Sequence, residues 1–244
     1  MANPPAIDIR NGLRLHGRPG SMFALSIPEF RVRAGEVCVI AGRSGCGKTS
    51  LLDLLGCISP FSRCERFDMC MAGRTIDMRT APGHVMAGMR RLHLGYVLQQ
   101  AGLLPFLTAW ENILLPLRLS GRLAYAGQAM KIVQYLGLEG QLHKRPAELS
   151  VGQRQRVDIV RALAPRPEIL LADEPTGALD PLTAERVCAE LLRVVKALGT
   201  TLVLVSHDVQ LFRKVGERFF GFELSHRQGM VVSTVIEREN LSQG

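Results

Sequence analysis

One nine-residue stretch, GRSGCGKTS, constrains this chain more than anything else in it. The residues before it, Gly35–Ala41 (GEVCVIA), are a short, apolar, β-branched run bounded by glycine, which predicts a strand buried on both faces. The run passes directly into GRSGCGKTS and then into the helix-like LLDLLG. Gly42-Arg43-Ser44-Gly45-Cys46-Gly47-Lys48-Thr49 fits G-x-x-x-x-G-K-[ST], in the strand-to-helix context that this pattern needs to bind phosphate. Glycines let the backbone fold into a nest of inward N–H groups, and a helix starting near Lys48 adds the positive end of its dipole. Lys48 is expected to reach the β- and γ-phosphates of a nucleotide, and the Thr49 hydroxyl to ligate Mg²⁺. The contacting residues would run from Gly42 through Ser50. A plain glycine-rich turn would explain the glycines but not the Lys-Thr pair.

Two further apolar runs, Ile169–Asp173 (ILLAD) and Thr201–Ser206 (TLVLVS), read as buried strands. Between them Leu182–Leu198 has helical periodicity through Val187, Leu191, Leu192, Val194, Val195 and Leu198. Strand–helix–strand with wholly apolar strands predicts a parallel sheet covered by helices, with ligands at the carboxyl ends of the strands. Three chemical groups fall at those ends. Asp173 closes a buried strand, where a carboxylate is costly unless it serves a cation such as a nucleotide's Mg²⁺. Glu174 follows and should face elsewhere, where it can polarise an attacking water as general base. His207, after TLVLVS, can donate a hydrogen bond to a γ-phosphate.

From about Gly102 to Glu148 there are no good strand candidates. LTAWENILLPLRL and AYAGQAMKIVQYLGL read as helices broken at Pro116 and Gly121 and closed by Gly137. A helical lobe of about residues 101–148 is therefore expected inside an α/β core of about 1–100 and 149–244, the whole forming one domain. From Arg218 onward a short hairpin and a polar tail are expected.

The 244 residues are 47% apolar and 21% charged, ordinary for a chain that buries a core. No apolar run reaches the roughly 18–20 residues of a membrane span. The start MANPPAIDIR has no secretory signal character, so the expected location is cytoplasmic unless a partner carries the chain to a surface. The formal charge of +8 invites a nucleic-acid reading, but the basic residues are scattered and aromatics are only 5%. A solvated basic surface, or one facing anionic lipid, fits better. The six cysteines contain no C-x-x-C pair, which disfavours a metal site and favours reduced thiols.

The segment Leu149–Val157, LSVGQRQRV, reads as a loop opening a helix, with Ser150-x-x-Gln153 in capping-box form. With GYVLQQ around Gln99, ILLADEP, GALD and SHD, it resembles the nucleotide-binding domain of ABC ATPases over nearly the whole chain. LLPFLTAWEN resembles the lipoprotein-releasing and macrolide-exporter branch. No N-K-x-D motif is present, which disfavours a GTPase.

The resemblance implies a P-loop core with a mostly parallel sheet, an N-terminal antiparallel β part and an inserted helical lobe. It implies that Gln99 contacts Mg²⁺ and the attacking water, joining Thr49 and Asp173 at the metal, and that the catalytic set is Lys48, Gln99, Glu174 and His207. It implies that Asp180 lies at a dimer interface, and that Ser150, Val151, Gly152 and Gln153 face the ATP of an opposite subunit. Two copies would then bury two ATP molecules head to tail and drive a separate transmembrane permease from the cytoplasmic face of the membrane.

Two departures stand out. The family's adenine-stacking aromatic corresponds to His16 here, a weaker platform. The signature has Val151 where the family has glycine, which is harmless if the backbone there takes negative φ and is obstructive if it does not. Cys57–Asp68 matches nothing in the family pattern. Two other readings stay open beside the transporter ATPase: a slow ATP-binding clamp on a membrane complex, and a soluble ATPase acting on nucleic acid.

Overall fold

A computed structural model describes residues 5–18, 21–212, 216–227 and 230–239. In chain order the elements begin with β1 (Pro5–Arg18), β2 (Ser21–Arg33), β3 (Val37–Ala41), α1 (Lys48–Leu55), β4 (Arg66–Met71) and β5 (Arg74–Asp77). There follow α2 (Gly83–His93), β6 (Leu94–Val97), α3 (Ala109–Leu119), α4 (Ala126–Tyr135), α5 (Val151–Leu163) and β7 (Ile169–Asp173). The last are α6 (Pro181–Leu198), β8 (Thr201–Ser206), α7 (Val209–Phe212), β9 (Arg218–Arg227) and β10 (Met230–Arg238). The chain forms two compact units, residues 1–88 with 201–244, and residues 89–200.

In the first unit the strands lie in the order β5-β4-β1-β2-β10-β9-β3-β8. Antiparallel pairing joins β5 to β4, β4 to β1, β1 to β2 and β9 to β10, whereas β3 runs parallel to both β8 and β9. The parallel strands are the ones read as continuous apolar runs. All six residues of β8 are buried, as are four of the five in β3, because a strand covered on both faces has no polar side to show. The register pairs Ala41 with Ser206, so the Gly42 loop and His207 leave the sheet at the same level. The C-terminal hairpin β9–β10 is longer than the sequence pattern suggested, and β10 also pairs parallel with β2. The polar tail beyond residue 239 lies outside the described residues.

The segment without a family counterpart takes a place beside β1. Leu13 forms a bridge with Arg63, the Leu15 N–H donates to Ser62 Oγ at 3.0 Å, and Arg14 donates to the Pro60 carbonyl at 2.7 Å. Gly12 is required there, since a Cβ would come within 2.7 Å of the Phe61 ring.

In the second unit β6 and β7 pair in parallel, with Val97 opposite Ala172, and α5 packs against α3, α4, α6 and β6. Residues 102–148 contain no strand, as the pattern implied. One expectation is corrected: Pro116 does not break the helix. It sits inside α3, which continues to Leu119. Proline removes one backbone hydrogen bond, but a capping box at Thr108 and Glu111 fixes one end of α3 and Ser120, donating to the Pro116 carbonyl, fixes the other.

Asn112 organises the turn before α3. Fully buried, it accepts from the Leu104 N–H at 2.8 Å and donates to the carbonyls of Leu104, Leu107 and Thr108. That network displays Phe106, which is 67% exposed. Replacing Asn112 by alanine strands buried backbone groups that cost about 1–3 kcal/mol each. Asn112→Ala is therefore expected to lower unfolding free energy by about 3 kcal/mol in urea titrations. A loss under about 1 kcal/mol would show that the turn does not depend on it.

Candidate functional site

The phosphate loop has the backbone its sequence demands. Gly45 has φ of +80° and Gly47 of +105°, a region that side chains with a Cβ rarely enter. Gly42 is needed for room instead. A Cβ there would lie 2.6 Å from Cys46 Sγ and 2.7 Å from the Phe222 ring. The Ser233 hydroxyl donates to the Cys46 carbonyl at 2.6 Å and ties the loop to β10. Gly47 is the N-cap of α1 and makes no side-chain cap hydrogen bond, so the positive end of the helix is not covered by a capping side chain.

Lys48 is only 7% exposed, and its ammonium donates to the carbonyls of Gly42 at 2.9 Å and Arg43 at 3.2 Å. Arg43, Ser44, Gly45 and Thr49 are exposed, Ser50 half-exposed and Cys46 buried. Burial also pushes the Cys46 thiol up from its ordinary pKa, against the pull of Lys48, so the thiol is held unreactive. A positive-φ glycine nest, a folded-in ammonium and an adjacent hydroxyl are the donor set that a nucleotide triphosphate with Mg²⁺ requires.

His16 lies on β1 opposite Phe23 of β2, with ring centroids 6.4 Å apart. The His16 Nε2 is buried and has no hydrogen-bond partner among the described residues. Phe23 was not singled out in the sequence. Its ring edge comes within 3.3 Å of where a Gly47 Cβ would stand, so the two rings and the loop share one neighbourhood. Its place follows from the β1–β2 register, which no local sequence pattern specifies.

In the second unit the carboxylates stand where β7 ends. Asp173 closes the strand and is 9% exposed. Glu174 has φ of +43°, strained for a residue with a Cβ. Its Oε2 accepts from Gln99 Nε2 at 3.2 Å and lies 3.2 Å from where a Cβ on Gly177 would be. Because β6 and β7 are in register, Gln99 and Glu174 each sit two residues past a paired position. The structure therefore brings together the two residues assigned to the attacking water.

A second feature of this unit lies between the starts of two helices. Ser150 caps α5: its hydroxyl accepts from the Gln153 N–H at 3.2 Å, and Gln153 Oε1 accepts from the Ser150 N–H at 2.9 Å. Asp180 caps α6 by accepting from the Thr183 N–H at 3.1 Å. Hydrogen bonds from the Thr183 side chain and backbone hold its carboxyl below the usual range. The cleft between the caps, about 660 Å³, is lined by Ser150, Val151, Gly152 and Asp180, with Arg156 and Arg186 at its side. Two helix N-termini and the Arg186 guanidinium favour an anion there, while Arg156 is paired with Glu190 at 2.9 Å and the Asp180 carboxylate opposes them.

Val151 is the first residue of α5 and has helical, negative φ, so its backbone needs no glycine. Its side chain is 44% exposed in the cleft, which makes bulk its effect. Among the described residues no helix is long and apolar enough to cross a membrane, and no group of three or more His, Cys, Asp or Glu could hold a metal by itself. None of the six cysteines forms a disulfide.

The ABC transporter family model matches residues 25–177. The macrolide export ATP-binding/permease protein MacB of Pasteurella multocida is 38% identical over 214 residues, which is 86% of this chain and 32% of that protein. The chain thus spans about a third of that relative's length. The lipoprotein-releasing system ATP-binding protein LolD of Novosphingobium aromaticivorans is 38% identical over 210 residues, 85% of this chain and 92% of the relative. Among solved structures, a dimeric post-hydrolysis state of the ATP-binding cassette MJ0796 with ADP and Pi is 31% identical. It has a TM-score of 0.75 and covers 92% of this chain and 96% of its own.

The loop geometry yields a direct expectation. Gly42→Ala forces Cys46 or Phe222 aside and should weaken binding of a fluorescent adenine nucleotide at least tenfold, or about 1.4 kcal/mol. Unchanged affinity in a titration would mean that the loop is not the phosphate site.

Proposed function

The chain belongs to the ABC transporter family, and from that premise we propose that it is an ATP-hydrolysing subunit which dimerises on ATP to drive a separate transmembrane permease. The observation that carries this reading is the Gly42–Thr49 loop with the Lys48 ammonium folded into it.

The loop N–H groups and the start of α1 bind the phosphates, and Lys48 turns from the loop carbonyls toward the β- and γ-oxygens. Thr49 and Asp173, with Gln99, would hold Mg²⁺, which supplies charge neutralisation on the phosphate oxygens when bound. Glu174 accepts the proton of the attacking water, and its strained backbone and its bond from Gln99 fix where the carboxylate points. His207 donates to the γ-phosphate. His16 holds the adenine, and the neighbouring Phe23 ring supports that role.

The cleft between the caps of α5 and α6 receives the γ-phosphate end of an ATP bound by a second copy. Ser150, Val151, Gly152 and Gln153 line it, with Asp180 at the interface. The dimeric state of the related cassette supports this reading. Leu98 beside Gln99 and Phe106 before α3 are exposed apolar side chains, 41% and 67%, suited to a membrane subunit docking at the cytoplasmic face. The named relatives support export or lipid and lipoprotein handling. A slow clamp is the second reading, favoured by the bulk of Val151 in the cleft.

Glu174→Gln removes the base and keeps the hydrogen-bond geometry. Turnover of ATP should fall at least 100-fold while binding survives, since a positioned base is worth about 10²–10⁴-fold. Equal, slow hydrolysis by both proteins would favour the clamp. Val151→Gly should raise turnover with little change in the affinity of a single copy for ATP, as read by steady-state hydrolysis and nucleotide titration. No gain would show that the valine does not obstruct the cleft.

A further inference from the structure

Three side chains on one buried face of α5 reach past their own helix to the backbone around Gln99. The Leu98 N–H donates to Asp158 Oδ2 at 3.1 Å, and Gln155 Nε2 donates to the Leu98 carbonyl at 3.3 Å. Arg161 donates both to Asp158 Oδ1 and to the Gly102 carbonyl, the latter at 2.6 Å. The two peptides flanking Leu98, and the Gly102 carbonyl beyond Gln99, are therefore held by one helix. Asp158 is fully buried and Gln155 is 3% exposed, so neither group is a solvated surface residue.

A buried ion pair in a helix core is weak evidence for stability, because apolar residues of similar volume do as well or better. Burial raises the Asp158 carboxyl above its ordinary pKa, against the lowering pull of Arg161 and of the Leu98 N–H. The group is thus held at a cost, and what that cost secures is directional: a fixed position for the residue before Gln99. Gln99 in turn donates to Glu174. At its other end the same helix carries the cap of Ser150, eight residues or roughly 12 Å away at the helical rise.

We propose that Asp158 is the positioning residue for Gln99: with Gln155 and Arg161 it ties the segment 98–102 to α5, so that Gln99 keeps its place against Glu174 and feels any movement of the capped end of the helix. The proposal rests on the ATPase reading above. It assigns a task to residues that touch neither phosphate nor metal, and it makes α5 a rigid strut between the cleft and the water-orienting glutamine.

The test compares Asp158→Leu, Asp158→Asn and Gln99→Ala, singly and with Asp158→Leu combined with Gln99→Ala, by steady-state ATP hydrolysis and by hydrogen exchange of the 98–102 amides. Asp158→Leu should lower kcat about tenfold with KM within about twofold, as expected when a group is misplaced while substrate binding is kept. Asp158→Asn keeps an acceptor for the Leu98 N–H and should stay within about threefold of wild type. In the Gln99→Ala background, Asp158→Leu should cost less than a further factor of about two, because the residue it positions is gone.

Exchange at residues 98–102 should quicken at least tenfold in Asp158→Leu. Equal losses in both backgrounds, an unchanged kcat per folded molecule, or unchanged exchange would each overturn the proposal. If Asp158→Leu does not fold, Gln155→Met releases the Leu98 carbonyl and must still lower kcat and quicken exchange, or the tether fails. Should wild type hydrolyse no faster than Glu174→Gln, the ATPase reading falls, and the exchange measurement still decides whether the tether exists.

Discussion

A lysine ammonium held almost out of water is the fact around which the first unit is organised. Lys48 is 7% exposed and rests on two carbonyls of its own loop. Burial of a cation is tolerable only where hydrogen bonds satisfy it and an anion can complete the balance. Each neighbouring feature follows from that need. The loop must curl tightly enough to offer its carbonyls, hence the positive φ at Gly45 and Gly47 and the absence of a Cβ at Gly42. It must be aimed from a rigid strand, hence the buried β3 with β8 beside it in register. α1 must begin at once, so that the positive end of its dipole adds to the same site.

The second unit solves a complementary problem, the placing of carboxylate and amide groups. Glu174 occupies an uncomfortable backbone conformation and is met by Gln99 from the adjacent strand end. The caps of α5 and α6 present two helix N-termini to one cleft. Backbone donors are indifferent to the side chain that carries them, so Val151 leaves the electrostatics of that cleft intact and alters its clearance. The valine is thereby a question of rate, since its helical φ removes the alternative of a distorted backbone.

What the sequence made legible follows from what each signal measures. ILLAD and TLVLVS were found to the residue because strands buried on both faces must be apolar throughout. The capping box at Ser150 was legible because its residue types act within one turn. Pro116 misled, because a local helix-breaking tendency was outweighed by fixed helix ends and by the hydroxyl of Ser120. Phe23 and Asp158 were missed for a different reason. Each matters through a neighbour distant in the chain, Gly47 and Leu98, and no local pattern encodes such a pairing. Asp158 did leave one trace, a charge on the buried face of an otherwise apolar stretch of α5.

In the proposed function one copy carries a phosphate cradle and, separately, a cap-lined cleft that receives the nucleotide of another copy. Sedimentation of the Glu174→Gln protein with ATP, with the bound nucleotide counted in each species, tests this most directly. The expected result is a two-chain species carrying one ATP per chain that returns to single chains when ADP replaces ATP. A single-chain species at saturating ATP, or the same assembly with ADP, would contradict it.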